Sequence, residues 1–591
     1  MLRPKSTSLL IASLLAACGG GGGDTVGMCP PSATSAPMAG DLAPKEVSEN
    51  IGQPGDPAAY ADRDSVAPGE RIGFHVAVIG DDPANVWFEF SRLGSSWQQD
   101  GWNLANVAAR SVPDNGWEDC CNWPETVSFQ IPENWKSGLY RASFSTADGI
   151  NEVYFVVRAK NPGSGSKIVV SVPMTTAQAY NAWGGKSVYE YNSSSDTKAE
   201  KLSMSRPFAG NSRDKYTAWM PKFIEWAQAQ NEGEGIDLEF IANTDLHHQP
   251  GILEPYDLFV TVGHDEYWST EMRQELERHL EAGGNAAFFS GNNMWWKIRF
   301  EDPSAGLPRG RMLVDKSNDP VRAENTPELH QGNWFMTDPE VKLFGAGYAR
   351  GGWREDFIGG DVPDFIVKRP GHWAFAGTGL AKDAGFGAGD EIISFESDGA
   401  DFTWGPGGVP VPTTTDGAPA GLEILATAQL QLGDGWSNYL DEAGILEVDG
   451  RRRVGKSDYT GVPGAWTTMV AYEHSGGGEV FNAATVDWVF ALSACGGATP
   501  AVECRITKNV IDRLKTSQKG APAPEPGPAP APEPGPAPAP EPGPAPAPEP
   551  GPAPAPEPGP APAPEPGPAP KPDPEPSPAP APTPAPSPAD C

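Results

Sequence analysis

The chain has 591 residues, of which 43 are Lys or Arg and 77 are Asp or Glu, so its formal net charge is −34. A surface this acidic repels nucleic acid and anionic lipid, which excludes nucleic acid as a partner. The length is sufficient for about two to four domains.

Residues 1–17 have the pattern of an export signal. Arg3 and Lys5 precede an apolar run that is too short to span a bilayer. The run ends in Leu15-Ala16-Ala17-Cys18, which resembles the lipobox of bacterial lipoproteins. The resemblance implies that Cys18 carries the acyl chains of a membrane anchor, palmitate among them. It also implies that the protein is extracytoplasmic. Gly19, and not Asp, follows Cys18, which in this family of signals favours the outer membrane. An ordinary signal peptide with a chance cysteine is the alternative.

Two segments of different composition follow the signal. Residues 18–45 are rich in Gly, Pro and Ser and are expected to be a flexible tether. Residues 46–160 hold short runs in which apolar and polar side chains alternate, residues 71–78 among them, and Pro and Gly turns separate these runs. This pattern predicts an immunoglobulin-like or fibronectin-like β-sandwich.

Residues 165–518 are predicted to form an α/β domain, because apolar runs typical of buried strands alternate with amphipathic helical patterns. The predicted strands are 167–172, 238–242, 257–263 and 285–291, and the predicted helices are 216–230 and 270–282. This alternation indicates a parallel sheet covered by helices on both faces. In such sheets, ligands bind beyond the carboxyl ends of the strands.

Residues 519–591 form a Pro-rich tail, which contains six copies of Ala-Pro-Ala-Pro-Glu-Pro-Gly-Pro. Proline fixes φ and removes a hydrogen-bond donor, so the tail is expected to be a disordered polyproline II arm without a core. The arm is predicted to be a spacer, with contact to the cell wall or to a partner protein as the alternative.

An exported chain permits disulfides between its seven cysteines. Cys495 and Cys504 flank a short Gly-rich segment and are the best candidate pair. Cys120 and Cys121 either form a bond between neighbours, or one of them pairs with Cys29.

Missing motifs exclude several kinds of catalytic site. No cysteine lies between residues 122 and 494, which excludes a thiol nucleophile there, and the chain has no Gly-x-Ser-x-Gly, His-Glu-x-x-His or Walker sequence. The densest polar cluster is residues 264–269, between a predicted strand and a predicted helix. Its residues Asp265 and Glu266 either complement the helix dipole or belong to a site. Asn292 follows the next strand, so Glu266 and Asn292 are expected to face one crevice.

Four motifs in this domain resemble a known family. They are Ala179-Tyr180-Asn181-Ala182-Trp183-Gly184-Gly185-Lys186-Ser187-Val188-Tyr189, Ser205-Arg206-Pro207, His264-Asp265-Glu266-Tyr267-Trp268 and Gly291-Asn292-Asn293-Met294-Trp295-Trp296. In this order they resemble the carboxy-terminal domain of the N,N-dimethylformamidase large (beta) subunit family, over roughly residues 167–494. The resemblance implies a glutamine-amidotransferase-like α/β fold and hydrolysis of small amides. It also implies mononuclear ferric iron, Fe(3+), held by two tyrosines and a glutamate, and a separate small subunit as a partner.

Individual roles follow from the same resemblance, position by position. It assigns metal ligation to three oxygen donors: Tyr180, Tyr189 and Glu266. It assigns catalytic roles to three further polar side chains: His264, Asn292 and Glu396. Tyr191 is the alternative second phenol, and Asp265 stands where the family usually has proline.

The implied ligand set is chemically consistent, because phenolate and carboxylate are hard anionic donors that suit Fe(3+). Such an ion polarises an amide carbonyl and lowers the pKa of bound water. The resemblance therefore predicts an iron-dependent hydrolase of small amides at the cell surface. The alternative is a surface lipoprotein that uses the same domain for binding or structure without catalysis.

Overall fold

The computed structural model describes residues 52–230, 235–304, 306–314, 316, 332–353, 362–430, 465–497, 500–517 and 519. The export signal with Cys18, the tether and the repeats of the Pro-rich tail lie outside these residues, so the expectations for them stay predictions. The domain boundaries also stay predictions. In the described part of the chain, no helix is long and apolar enough to cross a membrane.

Strands outnumber helices in the described residues. The first strands are β1 (Pro57–Ala61), β2 (Ser65–Val66), β3 (Arg71–Ile79), β4 (Ala84–Arg92), β5 (Gln98–Val107), β6 (Ala109–Arg110), β7 (Val127–Gln130), β8 (Gly138–Ser145) and β9 (Ile150–Val157). The next are β10 (Ile168–Val172), β11 (Lys201–Ser203), β12 (Glu239–Ala242), β13 (Leu258–His264), β14 (Tyr267–Ser269), β15 (Asn285–Gly291), β16 (Trp296–Glu301), β17 (Arg311–Val314) and β18 (Gly332–Asn333). The last are β19 (Gly347–Trp353), β20 (Phe365–Val367), β21 (Gly385–Phe386), β22 (Glu396–Gly399), β23 (Phe402–Trp404), β24 (Pro410–Pro412), β25 (Glu423–Leu430), β26 (Ala465–Glu473) and β27 (Glu479–Asn482).

The helices are mostly short. They are α1 (Gly116–Asp119), α2 (Met174–Tyr180), α3 (Asp214–Thr217), α4 (Met220–Gln228), α5 (Asn243–His248), α6 (Thr270–Glu281), α7 (Trp334–Thr337), α8 (Val341–Phe344) and α9 (Val502–Leu514). Short 3-10 helices occur at Ser194–Asp196, Gly210–Ser212, Trp373–Phe375, Ala388–Asp390, Pro406–Gly408 and Trp488–Ala494.

Strands β1 to β9 form two sheets around one apolar core. One sheet has the order β1-β3-β6, with β7 also paired to β3, and the other has the order β2-β9-β8-β4-β5. Alternate side chains of β4 are buried, namely Val86, Phe88 and Phe90. Phe74 of β3 packs against Phe88, Phe90 and Phe144, with ring centroids between 5.6 and 6.0 Å apart. Burial of these aromatic rings between the sheets stabilises this part of the chain.

The largest sheet has nine strands in the order β12-β10-β13-β15-β27-β26-β25-β20-β21. Its pairings from β12 to β27 are parallel. Its pairings from β27 to β21 are antiparallel. The sheet is therefore mixed, and apolar side chains cover both of its faces.

The predicted fold class is wrong. The chain does not have a parallel-sheet α/β fold of the glutamine-amidotransferase type, because its larger sheets are mixed and most strand pairings in the described residues are antiparallel. The prediction rested on the alternation of strands and helices before residue 291. Further along the chain, strands such as β26 and β27 follow each other through short connections, which make antiparallel pairs and need no crossover helix.

One of the two long predicted helices is observed as a single helix, and the other is observed as two shorter helices. The predicted helix 270–282 corresponds to α6, and the Ser269 hydroxyl accepts a hydrogen bond from the N–H of Met272 at 3.3 Å, which caps the helix start. The predicted helix 216–230 is observed as α3 and α4. Pro221 lies at the start of α4, where proline favours a new helix over the continuation of an existing one.

Two disulfides occur in the described residues. Cys495 is bonded to Cys504, so the predicted pair is confirmed. Cys120 is bonded to its neighbour Cys121, which decides between the two alternatives for this pair.

The carboxyl ends of three adjacent strands bring the polar motifs to one edge of the large sheet. β10 is followed by Pro173 and then by α2, which ends at Tyr180. β13 ends at His264, which lies opposite Gly291 at the end of β15. Glu266 and Asn292 follow these two strands, so both start from the same edge.

Candidate functional site

Tyr180 and Tyr189 lie side by side at this edge. Tyr180 is the last residue of α2, and the N–H of Val188 donates to the carbonyl of Ala179 at 3.1 Å, which returns the chain to the end of the helix. The two phenol rings are 4.4 Å apart between centroids, and the hydroxyl of Tyr189 donates to the hydroxyl of Tyr180 at 2.8 Å.

The carboxylate of Glu266 meets both phenols. Its Oε2 accepts from the Tyr180 hydroxyl at 3.2 Å and from the Tyr189 hydroxyl at 3.0 Å. The backbone N–H of Glu266 donates to Thr176 Oγ1 at 3.0 Å, which ties the carboxylate to α2. Tyr180, Tyr189 and Glu266 thus form one oxygen cluster. Tyr267, which the sequence analysis did not assign, adds a hydroxyl that donates to the Tyr189 hydroxyl at 2.7 Å.

His264 lies between two glutamates. Its Nε2 is 3.1 Å from Glu266 Oε2 and 3.0 Å from Glu396 Oε2 on β22. It is also 3.2 Å from the Tyr180 hydroxyl. His264, Glu266 and Glu396 are all buried, with 1%, 3% and 8% exposure, so their charges interact with little screening by water.

Asn292 completes the group of predicted site residues. It has a left-handed backbone with φ 46°, which is uncommon outside glycine. Its side-chain amide lies near Glu396 and acts to lower the pKa of that carboxyl group. The buried Oδ1 of Asn292 has no hydrogen-bond partner among the described residues, so this oxygen is available to a ligand.

Burial controls the protonation of the oxygen cluster. It raises the pKa of Tyr180 and of Tyr189 well above the ordinary value of 10.0, and the carboxylate of Glu266 raises both further. The two phenols are therefore neutral in the protein alone. A bound cation would reverse this balance, because it favours the ionised forms of all three donors.

The two glutamates have opposite pKa shifts. Burial raises the pKa of Glu396, and the nearby charge of Glu266 adds to this effect. Burial also acts to raise the pKa of Glu266, but hydrogen bonding and charge interaction with His264 outweigh burial and lower the pKa. When the pKa values of two neighbouring carboxyl groups are shifted in opposite directions, one group can carry protons while the other stays ionised.

Two lysines that the sequence analysis missed flank the phenols. Lys215 Nζ is 3.7 Å from the centroid of the Tyr180 ring, and Lys316 Nζ is 3.4 Å from the centroid of the Tyr189 ring. Each ammonium group therefore lies over one of the two phenol rings. Burial lowers the pKa of Lys316 to about 7. Nothing in the local sequence indicates these contacts, since both lysines lie far along the chain from the tyrosine that they cover.

Tyr191 and Asp265 lie outside the oxygen cluster. Tyr191 is 74% exposed, and its ring centroid is 5.6 Å from that of Tyr189. The segment around Tyr189 and Tyr191 consists of bends and turns and is not a strand, so the alternation of a strand does not govern the directions of the two side chains. Asp265 points away from the cluster, where its Oδ1 accepts from the Asn243 amide at 3.0 Å.

The chemistry of the donors fits a hard metal ion. Within the described ranges, no group of three or more His, Cys, Asp and Glu side chains is arranged to hold a metal. The oxygen cluster is a different kind of set, because two of its three donors are phenols. Its oxygens lie within 3.2 Å of one another and are of the hard type that ferric iron prefers.

The sequence of the chain matches one family. The family described as N,N-dimethylformamidase beta subunit-like, C-terminal, matches residues 89–501, which include every residue of the oxygen cluster. No curated protein matches the sequence.

Two solved structures share limited similarity with the chain. One is a Paenibacillus sp. cycloisomaltooligosaccharide glucanotransferase, with 9% identity, a TM-score of 0.15, and coverage of 40% of this chain and 52% of that chain. The other is a family 123 glycoside hydrolase from Clostridium perfringens, with 9% identity, a TM-score of 0.10, and coverage of 44% of this chain and 48% of that chain. The chain spans about half the length of both, and similarity at these TM-scores carries no argument about function.

Proposed function

The chain belongs to the N,N-dimethylformamidase beta subunit-like family, and from this premise we propose that it is a hydrolase of small linear amides that binds ferric iron at the oxygen cluster. Membership of the family supports the hydrolase-like role. The convergence of the Tyr180, Tyr189 and Glu266 oxygens is the observation that carries the rest of the proposal.

Tyr180, Tyr189 and Glu266 are the residues that would hold the metal. When bound, ferric iron supplies Lewis-acid polarisation of a carbonyl and lowers the pKa of water. The ammonium groups of Lys215 and Lys316 over the two phenol rings also favour phenolate, because a cation at the ring face stabilises the negative charge.

Proton transfer falls to His264 and Glu396. Hydrolysis adds water to the amide carbon, breaks the carbon–nitrogen bond and requires a proton on the departing amine. Glu396, with its raised pKa, takes a proton from water at a carboxylate oxygen. Nε2 of His264 lies 3.0 Å from Glu396 Oε2, so it can accept the proton from Glu396. His264 then passes a proton to the leaving nitrogen.

We assign to Asn292 the role of orienting the reacting water or substrate. Its amide favours the ionised form of the nearby Glu396, while its free Oδ1 accepts a hydrogen bond from water or substrate. A fixed amide dipole beside the proton carrier lowers the barrier, because it needs no reorganisation during the reaction.

Metal analysis together with an amide assay tests the proposal. The full-length chain, expressed with ample iron, should contain about one iron per chain and show a phenolate-to-iron charge-transfer band in the visible range, which zinc cannot produce. It should release amine from N,N-dimethylformamide or other small linear amides. A colourless, iron-free protein that releases no amine would contradict the proposal and favour the non-catalytic binding or structural role.

A further inference from the structure

Arg206, in the Ser205-Arg206-Pro207 motif, is buried without an acidic partner. The side chain is 0% exposed, and within the described residues it forms no ion pair with a carboxylate. Burial alone lowers the pKa of its guanidinium to about 9. A buried charge is unfavourable unless hydrogen bonds replace the lost water. The hydrogen-bond partners of the Arg206 guanidinium therefore indicate the role of this side chain.

The guanidinium donates to three backbone carbonyls around the two tyrosines. Nη2 donates to Gln178 at 2.9 Å, in the last turn of α2 and two residues before Tyr180. Nη1 donates to Trp183 at 2.9 Å and to Lys186 at 3.3 Å. The last two carbonyls belong to residues 181–188, which we call the tyrosine loop because they connect Tyr180 to Tyr189.

Neighbours of Arg206 bind the same loop. The Asn181 amide donates to the carbonyl of Pro207 at 2.8 Å, and its Oδ1 accepts from the N–H of Ala209 at 2.9 Å. Gly184 has φ 85° and lies against Gly116, where a Cβ would overlap the backbone. The tyrosine loop is therefore held on one side by residues 206–209 and on the other by a close backbone contact.

We propose that Arg206 is a positioning residue that sets the separation of the Tyr180 and Tyr189 phenols by tying the end of α2 to the tyrosine loop. A planar guanidinium presents donors from separate nitrogens in a fixed geometry, whereas an ammonium group presents all three of its N–H donors from one nitrogen. Its charge also suits the negative end of α2. The catalytic meaning of this role rests on the proposed function, but the positioning itself does not.

Hydrogen exchange of the full-length chain tests the positioning without metal or substrate. In the wild-type chain, amides of the tyrosine loop should exchange as slowly as those of β13, although the loop has no regular structure. Arg206→Lys keeps the charge and should accelerate exchange in the tyrosine loop by about ten-fold, with β13 unchanged. Arg273→Lys is the matched control, because it removes another buried guanidinium, which donates to Glu277 and to the carbonyl of Asp338.

Iron titration provides a second readout. Arg206→Lys should bind iron about 10- to 100-fold more weakly and shift the charge-transfer band, while Arg273→Lys should do neither. The inference is overturned if the wild-type loop exchanges as fast as an unprotected loop, or if both variants lower the melting temperature without a difference in loop exchange. If the wild-type chain binds no iron but Arg206→Lys still accelerates loop exchange, the positioning role stands and the proposed iron function fails.

Discussion

The carboxylate of Asp398 accepts a hydrogen bond from the backbone N–H of Asn292, with 2.9 Å between N and Oδ1, and holds that residue in its left-handed conformation. Asp398 Oδ2 also accepts from the N–H of Asn293 at 3.3 Å and from its side-chain amide at 3.1 Å. Asp398 lies two residues after Glu396 on β22. One strand therefore carries both Glu396, to which we assign a catalytic role, and Asp398, which holds Asn292 in place.

Asp398→Asn is expected to reduce amide hydrolysis while leaving iron binding unchanged. The new amide group places N–H donors opposite the donors of Asn293, so the turn at Asn292 relaxes. Misplacement of Asn292 should lower kcat by about 10- to 100-fold with little change in KM. Steady-state kinetics and iron content are the measurements. Asp401→Asn is the control, because Asp401 is also buried and its Oδ2 accepts from the hydroxyls of Thr413 and Thr415. An equal loss of kcat in both variants would contradict the prediction.

Tyr189→Phe and Tyr191→Phe are expected to differ sharply. Tyr189→Phe keeps the ring but removes a hydroxyl 3.0 Å from Glu266 Oε2, so the charge-transfer band should weaken or shift. Iron affinity should fall by about 10- to 100-fold. Tyr191→Phe changes a side chain that is 74% exposed and should leave both properties at wild-type values. Visible spectra during iron titration decide, and loss of the band in Tyr191→Phe alone would reverse the assignment.

Glu396→Gln is expected to remove the acid limb of the pH profile. Burial raises the pKa of Glu396 above the ordinary 4.5, so its basic form, and with it kcat/KM, increases only as the pH rises through that higher value. Glu396→Gln should lower kcat/KM by about 100-fold and flatten this limb. The measurement is kcat/KM against pH. Glu340→Gln, a change at another buried glutamate outside the site, should leave the profile intact. An unchanged profile in Glu396→Gln would refute the assigned role.

Glu340→Gln is expected to stabilise the protein at alkaline pH. Burial raises the pKa of Glu340 to about 8, and the charge of Asp416 contributes. The folded state therefore retains a proton that the unfolded state has released, and stability is lost as the pH rises from about 4.5 to about 8. The variant should be more stable than the wild type by about 1–3 kcal/mol at pH 8, with a small difference near pH 5. Urea unfolding at both pH values is the test, and equal effects at both would contradict it.

Cys18→Ser tests the membrane anchor that we propose for the mature chain. A serine hydroxyl cannot accept the thioether-linked lipid, so the variant should remain unprocessed or become soluble. Labelling with a radioactive fatty acid, followed by membrane fractionation, measures this. Cys29→Ser changes the next cysteine and is the control. A Cys18→Ser protein that still carries label and stays with the membrane would exclude lipidation at Cys18.

The sequence by itself determined the elements with strong local signals. The apolar run that became β13, the capped helix α6 and the run that became β15 were predicted because each depends on periodicity within about a dozen residues. The motifs around Tyr180, Glu266 and Asn292 were recognisable for the same reason, since each is a continuous stretch. The polar residues after two adjacent strands were expected to face one crevice. Glu266 lies 3.1 Å from His264, which lies 3.0 Å from Glu396, and Asn292 acts to lower the pKa of Glu396.

Only the tertiary structure decided which distant segments complete the site and how the sheets are built. The Tyr189 hydroxyl contacts the Tyr180 hydroxyl, whereas Tyr191 is exposed. Tertiary packing of the turn that contains Tyr189 and Tyr191 decides this difference, because the alternation of side chains along a strand does not apply to a turn. Lys316 reaches Tyr189 from far along the chain, and a contact of this kind leaves no local pattern in the sequence. The antiparallel half of the large sheet was missed for the same physical reason. Strand direction depends on how each connection closes in space, whereas hydrophobic periodicity reports only that a strand is buried.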